Sequence, residues 1–135
     1  CSQSRGLGDV YKRQGERLDQ KLGHWQRVIA SACEQCGQTW LPVLHPPSTI
    51  KACVDEQANG VAIVFDLAGA PLPRQVDIHQ PLIFIGPEGG WSDEEAQFFL
   101  DQDVARYRLG DTVLRAETMP AVALALIQHL RGWPV

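Results

Sequence analysis

A chain of 135 residues, 44% apolar and 21% charged, is long enough to bury a core and reads as one ordinary globular domain. No apolar run approaches the roughly 20 residues of a membrane-spanning helix, which points to a cytoplasmic protein with no membrane partner. The formal net charge of -4 supplies no general attraction for nucleic acid, so any RNA contact must come from a local patch, a partner or a further domain.

The first fourteen residues, CSQSRGLGDVYKRQ, show no hydrophobic period and no targeting pattern. They are read as a foreign or disordered segment, and the fold is read from Gly15 onward. Between Leu18 and Cys36, the residues Leu18, Leu22, Trp25, Ile29, Ala32, Cys33 and Cys36 fall near one helical stripe, which Gly37 ends. Cys33-x-x-Cys36 could be a redox pair or, with His24 and His45, a zinc site. A second CxxC is absent, so the two cysteines are taken as small buried groups on the helix and no metal is expected.

Trp40 to Leu44 is a short apolar run stopped by His45-Pro46-Pro47, which predicts a strand. Ser48 is the expected cap of a helix over Thr49 to Gln57, closed near Asn59-Gly60. Val61 to Phe65 is a nearly continuous β-branched run, the pattern of a strand covered on both faces, and Asp66 closes it. A loop over Gly69 to Pro73 and a second buried strand over Pro81 to Ile85 follow. Ser92 and Glu95 form an S-x-x-E capping box, with Asp93 and Glu94 at the positive end of the helix dipole. Ala96, Phe99 and Leu100 give that helix its apolar stripe, and Ala105 to Leu109 reads as a shorter strand nearer a sheet edge. The last helix starts at Pro120, with Thr118 as cap, and Ala121, Leu124, Ala125, Ile127 and Leu130 predict that it is largely buried.

Strands alternating with helices define an α/β fold with a mostly parallel sheet. Ligands in such folds bind at the carboxyl ends of strands, and the loops at Asp66, at Gly86 to Gly90 and at Leu109 to Arg115 all leave such ends. The run Ile85-Gly86-Pro87-Glu88-Gly89-Gly90 reads either as a ligand-binding loop or as a tight turn between strand and helix. It lacks the Lys-Ser/Thr of a phosphate loop and the spacing of a dinucleotide fingerprint, and Glu88 repels phosphate. A ligand with a cationic or neutral contacting group suits it better. Downstream, Arg115 and Glu117 are either solvated surface charges or a pair able to stabilise an anion on a substrate. His24, His45, His79 and His129 show no nucleophile–base spacing.

At these residues the chain resembles the SPOUT class of methyltransferases and, within it, the 16S rRNA uracil-N3 methyltransferase family, RsmE. The likeness rests on Ile85 to Gly90, on Ser92 and Glu95, on Leu109-Gly110 with Leu114-Arg115 and Glu117-Thr118, and on His24-Trp25-Gln26 with Ala32 to Gly37. It implies helices on both faces of the sheet, a C-terminal deep trefoil knot, S-adenosylmethionine as methyl donor, 16S rRNA or the small ribosomal subunit as partner, and a homodimer. Phe65, Ile85, Gly86, Glu88, Gly89, Gly90, Leu109, Gly110, Leu114 and Thr118 are the implied cofactor-binding residues. Arg115 and Glu117 are the implied catalytic pair. The resemblance also implies an RNA-binding PUA-like domain and an opening strand, helix and strand before Gly15, so an N-terminally truncated methyltransferase domain is expected. Two departures stand out: Thr112 where the family often has arginine, and Asp66-Leu67 near a common His-Pro pair. A second reading keeps the fold without the chemistry, as an inactive remnant or a dimerising scaffold that binds no RNA.

Overall fold

The structure, a computed structural model, describes residues 11–57 and 59–132, with side chains from Arg17 onward. Most of the segment read as foreign lies outside the described residues, but its last four residues are helical. The chain divides into two compact units, with the boundary between Ser48 and Thr49.

In the first unit, helix α1 runs over Tyr11–Cys36. It ends where Gly37 takes φ 72, and the amides of Gly37 and Gln38 return to the carbonyls of Glu34 and Cys33 at 3.3 and 2.9 Å. Those paired bonds define a Schellman stop. Cys33 is buried as expected, but Cys36 is exposed and its thiol turns back to the Cys33 carbonyl at 3.5 Å. The strand expected over Trp40 to Leu44 does not form, and Trp40, Leu41 and Val43 are exposed. Pro42 removes a ladder donor from the middle of that run, and an apolar run makes a strand only where a neighbour pairs with it.

The second unit holds α2 (Ile50–Glu56), β1 (Ala62–Pro71), β2 (Leu82–Ile85), α3 (Asp93–Asp101), β3 (Ala105–Arg108) and α4 (Met119–Leu130). Thr49, rather than Ser48, caps α2, its hydroxyl accepting from the Ala52 amide at 3.1 Å. The three strands form one parallel sheet in the order β2-β1-β3, which puts β3 at an edge, as its length suggested. Register places Val64 beside Phe84 and Arg106, and Phe65 beside Ile85 and Tyr107. Alternation along β1 then sends its side chains to opposite faces. Val64 packs with Phe84, Phe99, Val104 and Ile50, which brings α2 and α3 to one face. Ile63 and Phe65 pack with Ala123 and Ile127, which brings α4 to the other.

Three further expectations for this unit need correction: the strand end at Asp66, the loop from Gly69, and the burial of the last helix. β1 does not stop at Asp66; after an irregularity between Phe65 and Ala70 it pairs again with β3 through Ala70 and Pro71. Gly69 makes this possible, because a Cβ there would lie 2.7 and 2.8 Å from the Tyr107 backbone. Helix α4 is not largely buried. Ala123 and Ile127 are, while Ala121, Leu124 and Ala125 are exposed, since the sheet covers one side of the helix only. Thr118 sits at its cap position with helical backbone angles and no side-chain cap bond.

The start of α3 follows the sequence closely. The Ser92 hydroxyl accepts from the Glu95 amide at 3.2 Å and the Glu95 carboxylate accepts from the Ser92 amide at 2.8 Å. Replacing Ser92 with Ala should therefore lower unfolding stability by ~1 kcal/mol, read from urea titration. An unchanged midpoint and slope would show that the cap does not hold this helix.

Candidate functional site

The three strands run the same way, and the irregular stretch within β1 together with the segments that leave β2 and β3 surrounds one cavity of about 280 Å³. That is close to the lower end of small-molecule sites, roughly 300–1,000 Å³. Its wall takes Phe65 to Leu67 from β1, Ile85 from the end of β2 and Gly86 to Trp91 after it, Leu109, Thr112 to Leu114 and Ala116 from the segment after β3, and Met119 from the start of α4. The three segments singled out in the sequence do meet, although the one at Asp66 lies within β1 and is not a loop leaving its end.

The loop after β2 is fixed by a tight turn and by Trp91. The Gly90 amide donates to the Pro87 carbonyl at 2.9 Å, and Gly90 itself has φ 77, a left-handed conformation that favours glycine. Trp91 packs edge-on against buried Phe99, ring centroids 5.0 Å apart, and its indole N–H donates to the Phe65 carbonyl at 3.4 Å. The same indole crosses Gly86, where a Cβ would lie 3.0 Å from two ring atoms. The glycine is therefore needed for the close approach of the ring, and the ring ties the loop to the core and to β1 at Phe65.

After β3, Gly110 turns the chain at φ 75, and the Thr118 and Met119 amides both reach the Arg115 carbonyl, at 2.9 and 3.0 Å. That turn brings Ala116 to the cavity wall and leaves its neighbours Arg115 and Glu117 exposed and outside it.

Eight of the ten expected cofactor-binding residues line the cavity: Phe65, Ile85, Gly86, Glu88, Gly89, Gly90, Leu109 and Leu114. Gly110 and Thr118 do not. The sequence reading placed Asp66 and the span holding Val113 at the pocket without naming either as cofactor-binding, and it missed the wall contributions of Leu67, Trp91 and Met119. Trp91 had a readable signal, a bulky ring a few residues from a glycine in a loop.

The wall is mostly apolar, and among the described residues its charged members are the acids Asp66 and Glu88. Asp66 is paired. In parallel register Arg106 shares a face with Val64, hence with Asp66 two residues on, and its Nε reaches Asp66 Oδ2 at 3.0 Å with Nη2 on the same oxygen. The Ala68 amide donates to Oδ1 at 3.2 Å. Burial alone would raise the Asp66 pKa, but the Arg106 hydrogen bond, the Ala68 amide and the Arg106 charge outweigh it and hold the carboxyl below 3.8.

The apolar wall, exposed glycine main chain and acidic lining suit a neutral heterocycle joined to a cationic group better than they suit a phosphate. Among the described residues no three His, Cys, Asp or Glu side chains converge as a metal site, and no helix is long and apolar enough to cross a membrane.

Comparison with known proteins agrees with this architecture. Residues 9–128 match the RNA methyltransferase domain family. A Synechocystis ribosomal RNA small subunit methyltransferase E is 34% identical over 118 residues, covering 82% of this chain and 39% of that protein. The ribosomal RNA small subunit methyltransferase E of Neisseria gonorrhoeae, solved bound to S-adenosyl methionine, superposes with TM-score 0.78 at 27% identity, covering 95% of this chain and 52% of that one. A Legionella pneumophila protein solved with the cofactor SAM bound gives TM-score 0.74 at 32% identity, covering 85% and 48%. The chain belongs to the RNA methyltransferase domain family, in its ribosomal RNA small subunit methyltransferase E branch. It spans about half the length of these relatives, or less.

The Asp66–Arg106 pair gives the site a pH signature. A carboxyl with a lower pKa folded than unfolded contributes stability that is complete above the unfolded value and is lost as pH falls through the folded one. The stability advantage of the wild-type chain over Arg106→Leu should thus be full at neutral pH and shrink as pH falls through 3.8. Urea midpoints from pH 7 to pH 3 test this, and an advantage constant across that range would contradict it.

Proposed function

We propose that this chain carries the catalytic fold of an enzyme that uses S-adenosylmethionine to methylate N3 of uridine in 16S ribosomal RNA. The observation that supports it most is the apolar, acid-lined cavity between two glycine loops, in a family whose solved relatives hold that cofactor. When bound, S-adenosylmethionine supplies an electrophilic methyl group on positively charged sulphur. The cavity fits such a molecule chemically. Leu109, Leu114, Ile85 and Phe65 offer apolar surface to the adenine, the main chain at Gly86 to Gly90 and Leu109-Gly110 offers polar groups to its edge, and no described cation in the wall opposes the sulfonium.

Uridine N3 bears an imide proton, and its loss spreads negative charge onto the two flanking carbonyl oxygens. A guanidinium held at those oxygens lowers the cost of that anion. Arg115 takes this role, because it lies beside a wall residue yet projects outside the cofactor cavity, where a base must arrive. Glu117, two residues on, orients Arg115 or receives the N3 proton. The uridine must leave its RNA stack to reach the methyl group.

The finer features of the class complete the reading: a trefoil knot through the loops that wall the cavity, and a homodimer whose interface helps build the active site. Exposed Leu124, with exposed Ala121 and Ala125 on the same side of α4, supports a self-associating face. Sedimentation equilibrium at micromolar concentration should return twice the chain mass, and a monomer would rule that interface out.

Methyl transfer to small-subunit rRNA should fall by about 10²- to 10³-fold in Arg115→Ala, as when one oxyanion donor is removed, while affinity for S-adenosylmethionine changes less than about twofold. Single-turnover transfer and calorimetry measure the two halves. Transfer at the wild-type rate would remove Arg115 from the mechanism.

A further inference from the structure

Asp66 is the one wall residue whose charge is built in rather than merely present. Its carboxylate lines the cavity, whereas Arg106, which grips it from β3, lies outside the wall. Oδ2 receives Nε and Nη2 of Arg106, and Oδ1 receives the Ala68 amide, so donors hold both oxygens and the group cannot swing aside. Its side chain is 17% exposed, against 29% for Arg106. Glu88, the other acid of the wall, is exposed and therefore screened by water. The pair is thus a fixed dipole with its negative end toward the cavity and its positive end on the sheet behind. Arg106 and the Ala68 amide keep that end ionised down to acid pH.

We propose that Asp66, positioned by Arg106, makes the cavity select its occupant by the charge on sulphur, holding the sulfonium donor in preference to the neutral thioether left after transfer. This rests on the donor reading above. In transfer the nucleophile's lone pair forms the new bond to the methyl carbon, the S–C bonding pair stays on sulphur, and the nucleophile's proton leaves to base or solvent. The occupant therefore loses one positive charge without changing its adenosine or amino-acid parts. A fixed negative end attracts the charged form and gives the neutral one nothing, so it favours loading of donor and release of product. An amide in place of the carboxylate keeps the shape and removes the preference.

Calorimetry with S-adenosylmethionine, S-adenosylhomocysteine and sinefungin, whose amine carries the positive charge in place of the sulfonium, separates charge from shape. The ratio of the homocysteine product's Kd to the donor's Kd should fall by about threefold to tenfold in Asp66→Asn. Sinefungin should weaken in step with the donor. Should Asp66→Asn fail to fold with Arg106 left unpaired, Asp66→Asn/Arg106→Gln replaces the ion pair by an amide pair and should show the same fall. A ratio equal to wild type in a folded variant overturns charge selection while leaving the donor reading intact. Failure of the wild-type chain to bind any of the three overturns both.

Discussion

The indole of Trp91 is the contact on which the geometry of this site depends. It touches three things that would otherwise be independent: the aromatic core through Phe99, the central strand β1 through the Phe65 carbonyl, and the glycine loop through Gly86. Backbone loops rich in glycine lose much freedom on ordering, and a loop held only by its two ends would pay that entropy each time a ligand bound. Packing the ring on Phe99, itself against Phe84 at 5.2 Å, places that cost in folding instead. The wall at Gly86 to Gly90 is thereby set in place by the same core that stabilises the sheet.

The parallel sheet supplies the rest. With β1 in the centre, one register sets Phe65 beside Ile85 at the end of β2 and beside Tyr107 near the end of β3, and so brings the three wall segments together. It also puts Arg106 on the face of Val64 and Asp66, so an ion pair forms across the irregular stretch of β1 at the cavity's edge. The resemblance to RsmE departs at this Asp66-Leu67, and the departure has a partner in space. Cofactor and substrate roles separate accordingly in the proposed reaction. Acids and apolar groups face inward toward a cation, while Arg115 stands outside, where the base becomes an anion.

Much of this was legible in the residues. The capping box at Ser92 and Glu95, the β-branched run through Val64 and the glycine spacing after Ile85 are local signals, and local signals decide helix starts, buried strands and turns. What the sequence hid depends on partners distant in the chain. Trp40 to Leu44 has a strand's composition but Pro42 at its middle, and Asp66 reads as a strand terminator until β3 is in place beside it. Helix α4 reads as buried because its apolar residues run all round it, yet the sheet covers only the side of Ala123 and Ile127. Trp91 escaped notice because its role lies in what Gly86 lacks.

Amide hydrogen exchange of the chain with and without S-adenosylmethionine tests the central claim most directly, because it reads each loop separately. If the cofactor occupies the cavity described here, protection should rise at 65–67, at 85–91 and at 109–116 together, and little elsewhere in the second unit. Protection confined to one of these segments, or absent from all three while the ligand binds, would contradict the account.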